Sequence, residues 1–458
     1  MLHDTIAAVS TPYGKGGIAV IRISGEDAAA VLSRCFATSG PRPEEHPRRA
    51  CFGRITRGEE TVDTGIATFF APGASFTGEA SAELSCHGGT AVTAAVLEAV
   101  FSAGARPAGA GEFTRRAFLN GKLSLTEAQA VGLMIDADTD SRRRLASGVL
   151  RGSLREATEA MRGDLVALLA SLYATIDYPE EDLAEQSTEE MEAGLNKVTQ
   201  ALRELLATYR TGHAVADGVR TVICGAPNCG KSSLYNRILG EDRAIVTDIA
   251  GTTRDTLWDT ADFGGVSLRL ADTAGLREET ADAVEAIGIA RTRKTMEEAE
   301  LCFLLLDATR SCTPEEEALL RTLPDLDAST VVVVNKIDLA SPEKAANAAR
   351  PYADAVVSVS ARTGEGMDAL ADAVAALYGT RNRSYATEPL IWDARHKATL
   401  TETIGLLSDA AAALTAGEPT DAVCTLAEDA LAKLSMLDGR GVSEEIVNEI
   451  FARFCVGK

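Results

Sequence analysis

The stretch GAPNCGKSS, residues 225–233, constrains the fold of this chain more than any other feature. It matches the phosphate-binding pattern GxxxxGK[ST] in full, follows the apolar run RTVIC and opens a helical pattern. Such a loop lies between a parallel strand and a helix N-terminus, because backbone N–H groups and the helix dipole together hold phosphate oxygens. The sequence therefore predicts an α/β domain that binds a nucleotide.

The pattern around this loop predicts a multidomain protein with an inserted α/β domain. Residues 216–380 alternate helical stretches with the apolar runs VRTVIC, VSLRLAD, LCFLLLD, TVVVVN and AVVSVS, which predicts a doubly wound parallel sheet. Residues 1–120 mix short apolar runs with turns and predict an α+β domain. Helical periodicity marks 121–215 and 381–458, so the simplest architecture is one all-α domain split by the α/β insertion; four domains in tandem is the alternative.

Composition limits the possible partners and compartment. The chain has 458 residues and a formal net charge of −22, which argues against broad non-specific binding to nucleic acid but does not exclude a local basic groove. No run approaches the ~20 apolar residues of a membrane span, the N-terminus lacks a signal-peptide pattern, and the nine cysteines are scattered singly, so a reduced cytoplasmic location is expected. One arginine-rich segment is either a phosphate track for RNA or an ordinary solvated face: Arg142, Arg143, Arg144, Arg151 and Arg155.

Further motifs select guanine as the base. NKID, ending at Asp338, follows a predicted strand, and its carboxylate can accept from both N1–H and the exocyclic amine of guanine, whereas adenine would leave it unpaired. SVSAR supplies a backbone that would meet the guanine O6, and DTAG lies beside the expected metal and γ-phosphate. The residues predicted to bind GTP or GDP are Asn228, Cys229, Gly230, Lys231, Ser232, Ser233, Asp272, Thr273, Ala274, Gly275, Asn335, Lys336, Asp338, Ser360 and Ala361.

The position after DTAG departs from the familiar Ras-like scheme. Leu276 stands where a glutamine would orient the attacking water, and a leucine cannot hydrogen-bond water. Asn228 offers a side-chain carbonyl that could ligate K⁺ and supply charge at the phosphates. Glu285 could orient water through a bridging water, although an exposed helix carboxylate is the simpler interpretation from spacing alone.

Several motifs together resemble the MnmE (TrmE) family of tRNA-modification GTPases, which belongs with the TrmE-Era-EngA-YihA-Septin-like GTPases. They are GKGGIAVIRISG, GEFTRRAFLNGKLSLTEAQA, GAPNCGKSSLYNRILG, IVTDIAGTTRD, DTAGLRE and the terminal FCVGK, and they span the whole chain. The resemblance implies a homodimer with an N-terminal folate-binding and dimerisation domain, and potassium-dependent pairing of G domains. It also implies a complex with the FAD enzyme MnmG, heterotetramer-like in composition, that modifies C5 of the wobble uridine of certain tRNAs with a one-carbon unit from 5-formyltetrahydrofolate or a related folate.

The same resemblance assigns roles to individual residues. Mg²⁺ would be held by Ser232 and Thr253. Glu285 becomes the water-orienting carboxylate, with Glu278 and Glu279 as fallbacks because one extra residue separates DTAGLRE from VEAIGI. The remaining implied contacts are K⁺ with Asn228, Thr247, Ile249 and Thr252, and folate with Arg22, Glu83, Lys122 and Lys458.

The tail and the competing functions complete the expectations. FCVGK is expected to meet the folate domain, across the dimer, where Cys455 is either a nucleophile that adds to C6 of the uracil or a packing residue. An Era-like switch for ribosome or RNA assembly is the alternative function, but it would carry a KH-type domain, and the flanks here show long helices. A dynamin-like assembly protein would need a membrane-binding stretch, which this sequence does not show.

Overall fold

The computed structural model describes residues 4–177, 188–241, 258–271, 296–381, 383–452 and 454–457. Its internal contacts divide the chain into two compact units, one of residues 1–132 with 435–458 and the other of residues 133–434. Within the described part, no helix combines the length and the apolar character that crossing a bilayer requires. The four domain boundaries expected from the sequence stay a prediction.

A seven-stranded sheet forms the first unit. Its strands are β1 (Ile6–Val9), β2 (Ile18–Ser24), β3 (Phe36–Ala37), β4 (Cys51–Arg57), β5 (Glu60–Phe70), β6 (Ser81–His87) and β7 (Arg106–Pro107). The spatial order is β3-β4-β5-β6-β2-β1-β7, with antiparallel pairing throughout except between β1 and β7. The helices α1 (Ala28–Cys35), α2 (Thr90–Ser102), α3 (Glu112–Leu119) and α4 (Leu125–Ile135) accompany it.

Strand periodicity explains which face of this sheet is covered. Along β4, residues alternate between buried and exposed, as expected for a strand with one face on the core. Ile21, Leu32 and Val96 belong to one buried cluster, which joins β2 to α1 and α2. Arg22 points to the opposite face, because successive side chains on a strand alternate. The α+β prediction for the N-terminal block agrees with this arrangement.

The second unit begins and ends with helices. They are α5 (Asp140–Leu150), α6 (Ser153–Asp177), α7 (Thr188–Ala207) and α8 (Tyr209–Ala216) before the second sheet, and α13 (Ala394–Thr415) and α14 (Thr420–Ser435) after it. Between them lie α9 (Lys231–Glu241), α10 (Pro314–Thr322), α11 (Glu343–Ala349) and α12 (Met367–Tyr378). Helix α7 packs against both α6 and α13, so helices from before and after the sheet share one bundle.

The second sheet has six strands in the order β13-β12-β11-β8-β10-β9. They are β8 (Val219–Gly225), β9 (Trp258–Phe263), β10 (Val266–Ala271), β11 (Leu301–Asp307), β12 (Ser329–Asn335) and β13 (Ala355–Ser358). Phe303 and Leu305 lie in one buried cluster while Leu304 and Leu306 lie in another, so both faces of β11 are covered. This explains why its sequence is apolar at successive positions.

The structure confirms the five predicted strands of this sheet and corrects its parallel character. β9 is an additional edge strand that pairs antiparallel with β10. The turn between them is Gly264–Gly265, with φ of 64° and 74°. Positive φ at both central residues matches the right-handed twist of a two-residue hairpin, and glycine adopts it without steric cost. The sheet is therefore mixed rather than purely parallel.

The last helix, α15 (Glu444–Ala452), returns to the first unit. Its Val447 and Phe451 are buried in one cluster with Leu125 of α4. Phe451 also contacts the rings of Phe118 and Phe454, with centroids 6.3 and 5.4 Å away. These aromatic contacts fix the direction in which the chain leaves the helix.

Candidate functional site

The phosphate-binding loop lies between β8 and α9, as the sequence predicts. Lys231 is the first residue of α9, and its Nζ donates to the carbonyl oxygens of Gly225 and Ala226, both at 2.9 Å. A Cβ at Gly230 would collide with the side-chain amide of Asn335, so only glycine permits this approach of the loop to β12. The ammonium group is thereby held over a loop that opens a helix, where phosphate oxygens are favoured.

Asn335 connects this loop to the next segment that faces the pocket. It is buried at the end of β12, its Nδ2 donates to the carbonyl oxygen of Cys229 at 2.8 Å, and its Oδ1 accepts from the N–H of Ala361 at 2.9 Å. Residues 360–362, called the base loop below, follow β13. One buried amide thus fixes the distance between the phosphate loop and the base loop, because it bonds to the backbone of both.

Asp338 is the carboxylate that this arrangement presents. Ser360 Oγ donates to its Oδ1 and Arg362 Nη2 to its Oδ2, both at 2.7 Å. The hydroxyl of Ser360 and the positive charge of Arg362 hold the pKa of Asp338 below its usual range, so it is ionised at neutral pH. Each carboxylate oxygen can accept more than one hydrogen bond, which leaves capacity for two N–H donors of a ligand.

A cavity of about 600 Å³ is bounded by these segments, a volume suited to a small-molecule ligand. The phosphate loop, α9, the end of β12 and the base loop contribute to its wall, and predicted nucleotide residues among the lining are Gly230, Ser233, Asn335, Lys336, Asp338 and Ala361. Asn228, Lys231, Ser232 and Ser360 lie on the same loops. The described residues of the predicted nucleotide site are thus brought together at one edge of the sheet.

Asp307 was not singled out by the sequence analysis. It ends β11 opposite Asn335, and Lys336 Nζ lies 2.6 Å from its Oδ2. Burial opposes ionisation of Asp307, but the bonds from Lys336 and Thr309 outweigh it and lower the pKa of the carboxyl. Lys336 itself has a left-handed conformation, with φ of 69°, and lines the cavity. The position of Asp307 at the end of a predicted strand could have identified it, because the carboxyl ends of parallel strands meet at the same edge of a sheet, where ligands bind.

Other predicted nucleotide and metal residues lie outside the described residues. These are Thr247, Ile249, Thr252, Thr253, Asp272, Thr273, Ala274, Gly275 and Glu285, together with the fallbacks Glu278 and Glu279. In the part of the chain that is described, there is no group of three or more His, Cys, Asp or Glu residues placed to hold a metal ion. Ser232 is exposed near the start of α9, where a hydroxyl can reach a cation at the phosphates.

The first unit brings together two of the four residues predicted to bind folate. Arg22 and Glu83 are directly opposed on β2 and β6, so both project from the same face of the sheet. Their guanidinium and carboxylate groups are 2.9 Å apart and partly exposed. The rings of Phe76 and Phe113 flank Arg22, with centroids 5.4 and 5.8 Å from its guanidinium carbon. A charged pair beside aromatic rings can recognise a flat, polar heterocycle.

Lys122 joins this group through the loop of residues 71–80. Its Nζ donates to the carbonyl oxygen of Gly73 at 3.0 Å, and Asn120 Nδ2 donates to that of Thr77 at 2.8 Å. Phe76, which covers Arg22, belongs to the same loop. The loop therefore links Lys122 to the Arg22–Glu83 pair. The sequence did not indicate a role for this loop, because its residues show no pattern of charges.

The C-terminal tail lies against the segment after β1 and against residues 110–111 of its own chain, and the expected contact across a dimer stays a prediction. The N–H of Gly111 donates to the carbonyl oxygen of Cys455 at 3.3 Å, and Val456 forms an antiparallel bridge with Ala110. Ser10 Oγ, just after β1, donates to the carbonyl oxygen of Gly457 at 3.0 Å. Cys455 is exposed, and Lys458 lies outside the described residues.

Comparison with known proteins adds the family. A model described as the MnmE helical domain matches residues 125–455, and one described as the GTP-binding protein TrmE N-terminus matches residues 5–122. The chain belongs to the MnmE family of tRNA modification GTPases. A tRNA modification GTPase MnmE of Symbiobacterium thermophilum is 42% identical over 100% of both chains, and one of Thermotoga maritima is 38% identical over 99% of this chain and 100% of its own.

The MnmE assignment rests on these full-length relatives and not on solved structures. A GTP-binding protein of Sulfolobus solfataricus in complex with GDP is 16% identical, with a TM-score of 0.26 over 48% of this chain and 67% of its own. So low a score carries no argument. The family match decides against the Era-like and dynamin-like alternatives, since it extends across both flanks of the α/β segment.

The arginine-rich segment of this MnmE-family chain is neutralised locally. Arg142 lies 3.5 Å from Asp138, and Arg143 and Arg144 each lie 2.6 Å from oxygens of Asp140. Exposed pairs of this kind exchange readily with other ions. Arg151 donates to the carbonyl oxygen of residue 386, and Arg155 is also engaged. A role of this segment as a phosphate track stays a prediction.

Proposed function

We propose that this MnmE-family chain is a potassium-dependent GTP hydrolase. As a member of the family of tRNA modification GTPases, it is a GTP hydrolase that acts in tRNA modification. Beyond that, it acts with MnmG to install an aminomethyl or carboxymethylaminomethyl group at C5 of the wobble uridine of certain tRNAs. The one-carbon unit comes from a bound 5-formyltetrahydrofolate or related folate.

One observation carries the choice of GTP: Asp338 is held ionised at a cavity that also contains the phosphate loop. An ionised carboxylate accepts from N1–H and from the exocyclic amine of guanine together. Adenine has no N1–H and would not supply either of the two donors that guanine offers to this carboxylate, which discriminates strongly between bases. Asn335 supports this choice, since it fixes the spacing of base and phosphate sites.

Hydrolysis would be divided among the phosphate loop and the segments that follow it. Lys231 neutralises charge on the β- and γ-phosphate oxygens, and Ser232 with Thr253 would hold Mg²⁺, which supplies further positive charge there. The exposed hydroxyl of Ser232 near the helix start fits that role. Asn228 is proposed as a K⁺ ligand, because it lies in the phosphate loop three residues before Lys231 and carries a side-chain carbonyl, with Thr247, Ile249 and Thr252 as the other ligands.

Glu285 would orient the attacking water, because Leu276 cannot. Both positions follow the proposed γ-phosphate contact of Gly275 in the sequence, and the role of Glu285 is what the family resemblance implies. Glu278 and Glu279 are the fallbacks for the same role.

The folate site would lie on the exposed face of the first sheet. Glu83 suits the amide and amine of a pterin, and Arg22, Lys122 and Lys458 suit the carboxylates of a glutamate tail. The contacts of Arg22 with two aromatic rings support a site for a flat ring system. Cys455 is exposed in the docked tail, where its thiolate could add to C6 of the uracil and make C5 nucleophilic, and later elimination would restore the ring.

The proposed assembly is a cytoplasmic homodimer that joins the FAD enzyme MnmG in a heterotetramer-like complex and binds tRNA. Its family relatives are named as tRNA modification GTPases, which supports tRNA as the substrate. K⁺-dependent pairing of two G domains would complete the hydrolytic site.

The deciding experiment compares GTP turnover in KCl and NaCl at equal ionic strength. We expect hydrolysis in KCl to be at least ~10-fold faster than in NaCl. The reason is that K⁺ stabilises the charge that develops in the transition state, and loss of one such stabilising group typically slows an enzyme by at least this factor. An Asn228→Ala variant should lose the difference while it still binds GDP. Equal rates in both salts for the wild-type protein would refute the potassium mechanism and indicate a GTPase that does not depend on K⁺.

A further inference from the structure

One face of helix α9 forms a wall of the guanine pocket. Residues of α9 and the loop before it that line the cavity recur at intervals of three or four: Gly230, Ser233, Asn236, Arg237 and Gly240. This spacing places them on one side of a helix. The opposite wall includes the end of β12 and the base loop. Most members of the face are small or short, and Arg237 is the long side chain among them.

Arg237 crosses from this helix to the base loop. Its Nη2 donates to the carbonyl oxygen of Arg362 at 2.7 Å, and its Nε donates to that of Ala361 at 3.3 Å. A Cβ at Gly364 would come within 3.7 Å of Nη1, so the guanidinium lies close beneath the loop. The planar fork of an arginine suits two successive carbonyl oxygens, which a lysine ammonium cannot match with the same geometry.

The base loop in turn holds Asp338. Ser360 and Arg362 donate to its two carboxylate oxygens, and Ala361 is anchored on its other side by Asn335. Asn335 therefore ties the base loop to the phosphate loop from one side, and Arg237 ties it to α9 from another. Displacing the loop would move both donors that aim the carboxylate.

We propose that Arg237 is a positioning residue that fixes the base loop on the phosphate-binding helix and thereby sets discrimination for guanine. The inference rests on the proposed nucleotide function, because Arg237 acts through Asp338. In this scheme Arg237 lies in the cavity wall and acts on base recognition through its bonds to the base loop. Its effect should consequently appear in the contrast between bases rather than in phosphate binding.

The test compares the dissociation constants of GDP and inosine diphosphate, which lacks the exocyclic amine that Asp338 would accept. Arg237→Met keeps the apolar stem and removes the donors. We expect it to weaken GDP binding about 10-fold, the size of one charge-assisted hydrogen bond, and inosine diphosphate binding much less. Arg237→Lys should fall between Met and wild type. Arg321→Met is the matched control, since it removes the donors of an exposed arginine on α10 that does not line the cavity, and it should keep the wild-type ratio.

Each possible result either supports or refutes the role of Arg237. A larger ratio of the GDP to the inosine diphosphate dissociation constant in Arg237→Met than in wild type, with a thermal midpoint near that of wild type, supports the inference. Equal weakening of both nucleotides, or a ratio like that of wild type, overturns it. If Arg237→Met does not fold, an unchanged ratio in Arg237→Lys overturns it in its place. Failure of the wild-type protein to bind GDP would overturn the proposed function itself.

Discussion

Gly457→Ala should release the C-terminal tail from the first unit. Gly457 has φ of 97°, and a Cβ there would lie less than 3.0 Å from the carbonyl oxygen of Val9. The atoms of Val9 and Ser10 that this Cβ would meet belong to the backbone, so no side-chain rotation relieves the collision. The tail makes three polar contacts, one with the side chain of Ser10 and two with the backbone at Ala110 and Gly111. At about 1 kcal/mol for each contact, docking of the tail contributes up to about 3 kcal/mol. The variant cannot lose more than this free energy, because the tail can undock instead of accepting the collision.

Amide hydrogen exchange at Gly111 measures this release directly, because that amide donates to the tail at Cys455. Loss of up to about 3 kcal/mol of local protection corresponds to exchange up to about 100-fold faster. Gly441→Ala is the matched control: its φ is 75°, and nothing lies within 4 Å of its Cβ. It carries the same left-handed strain, about 1–2 kcal/mol, without the collision. Equal exchange in the two variants would refute the docking argument.

Two further predictions concern single titratable groups. Asp338→Asn should weaken GDP binding at least ~100-fold and improve the binding of xanthosine diphosphate. Nucleotide titration measures both affinities, and Asp327→Asn, at an exposed residue, is the control. An unchanged affinity for GDP would contradict the assignment of Asp338 to base recognition. Burial and the adjacent Arg395 charge lower the pKa of His396 to about 3. The unfolded chain therefore binds a proton below about pH 6.5 that the folded chain does not, and the unfolding free energy should fall by about 2 kcal/mol from pH 7 to pH 5. Denaturant unfolding of His396→Asn should lack that fall, and a fall equal to that of wild type would refute it.

The fold features predicted from sequence are those with short-range causes. β11 and β12 could be recognised because a strand covered on both faces needs apolar residues at every position. β9 was missed because its sequence, WDTADF, mixes polar and apolar residues as an edge strand does. The Gly-Gly pair that follows was the available hairpin signal.

The site divides in the same way. Lys231 and Asp338 were found from motifs, since the chemistry of phosphate and guanine dictates those residue types at those places. Arg237 and Asp307 were not, although both contact predicted site segments. Each acts through a partner distant in sequence, and neither carries a local pattern that distinguishes it from an ordinary surface or strand-end charge.

The tail shows the limit of local reasoning most clearly. Ser10 and Gly457 form a hydrogen bond across 447 positions, and no periodicity connects two such segments. During synthesis the first unit can form its sheet early, because the strands from β1 to β7 lie within its first part. It cannot acquire the packing of Phe451 on α3 and α4, nor the bridge at Val456, until the last residues emerge. Since non-local contacts form late and at an entropic cost, the segment with Cys455 should dock last and open first.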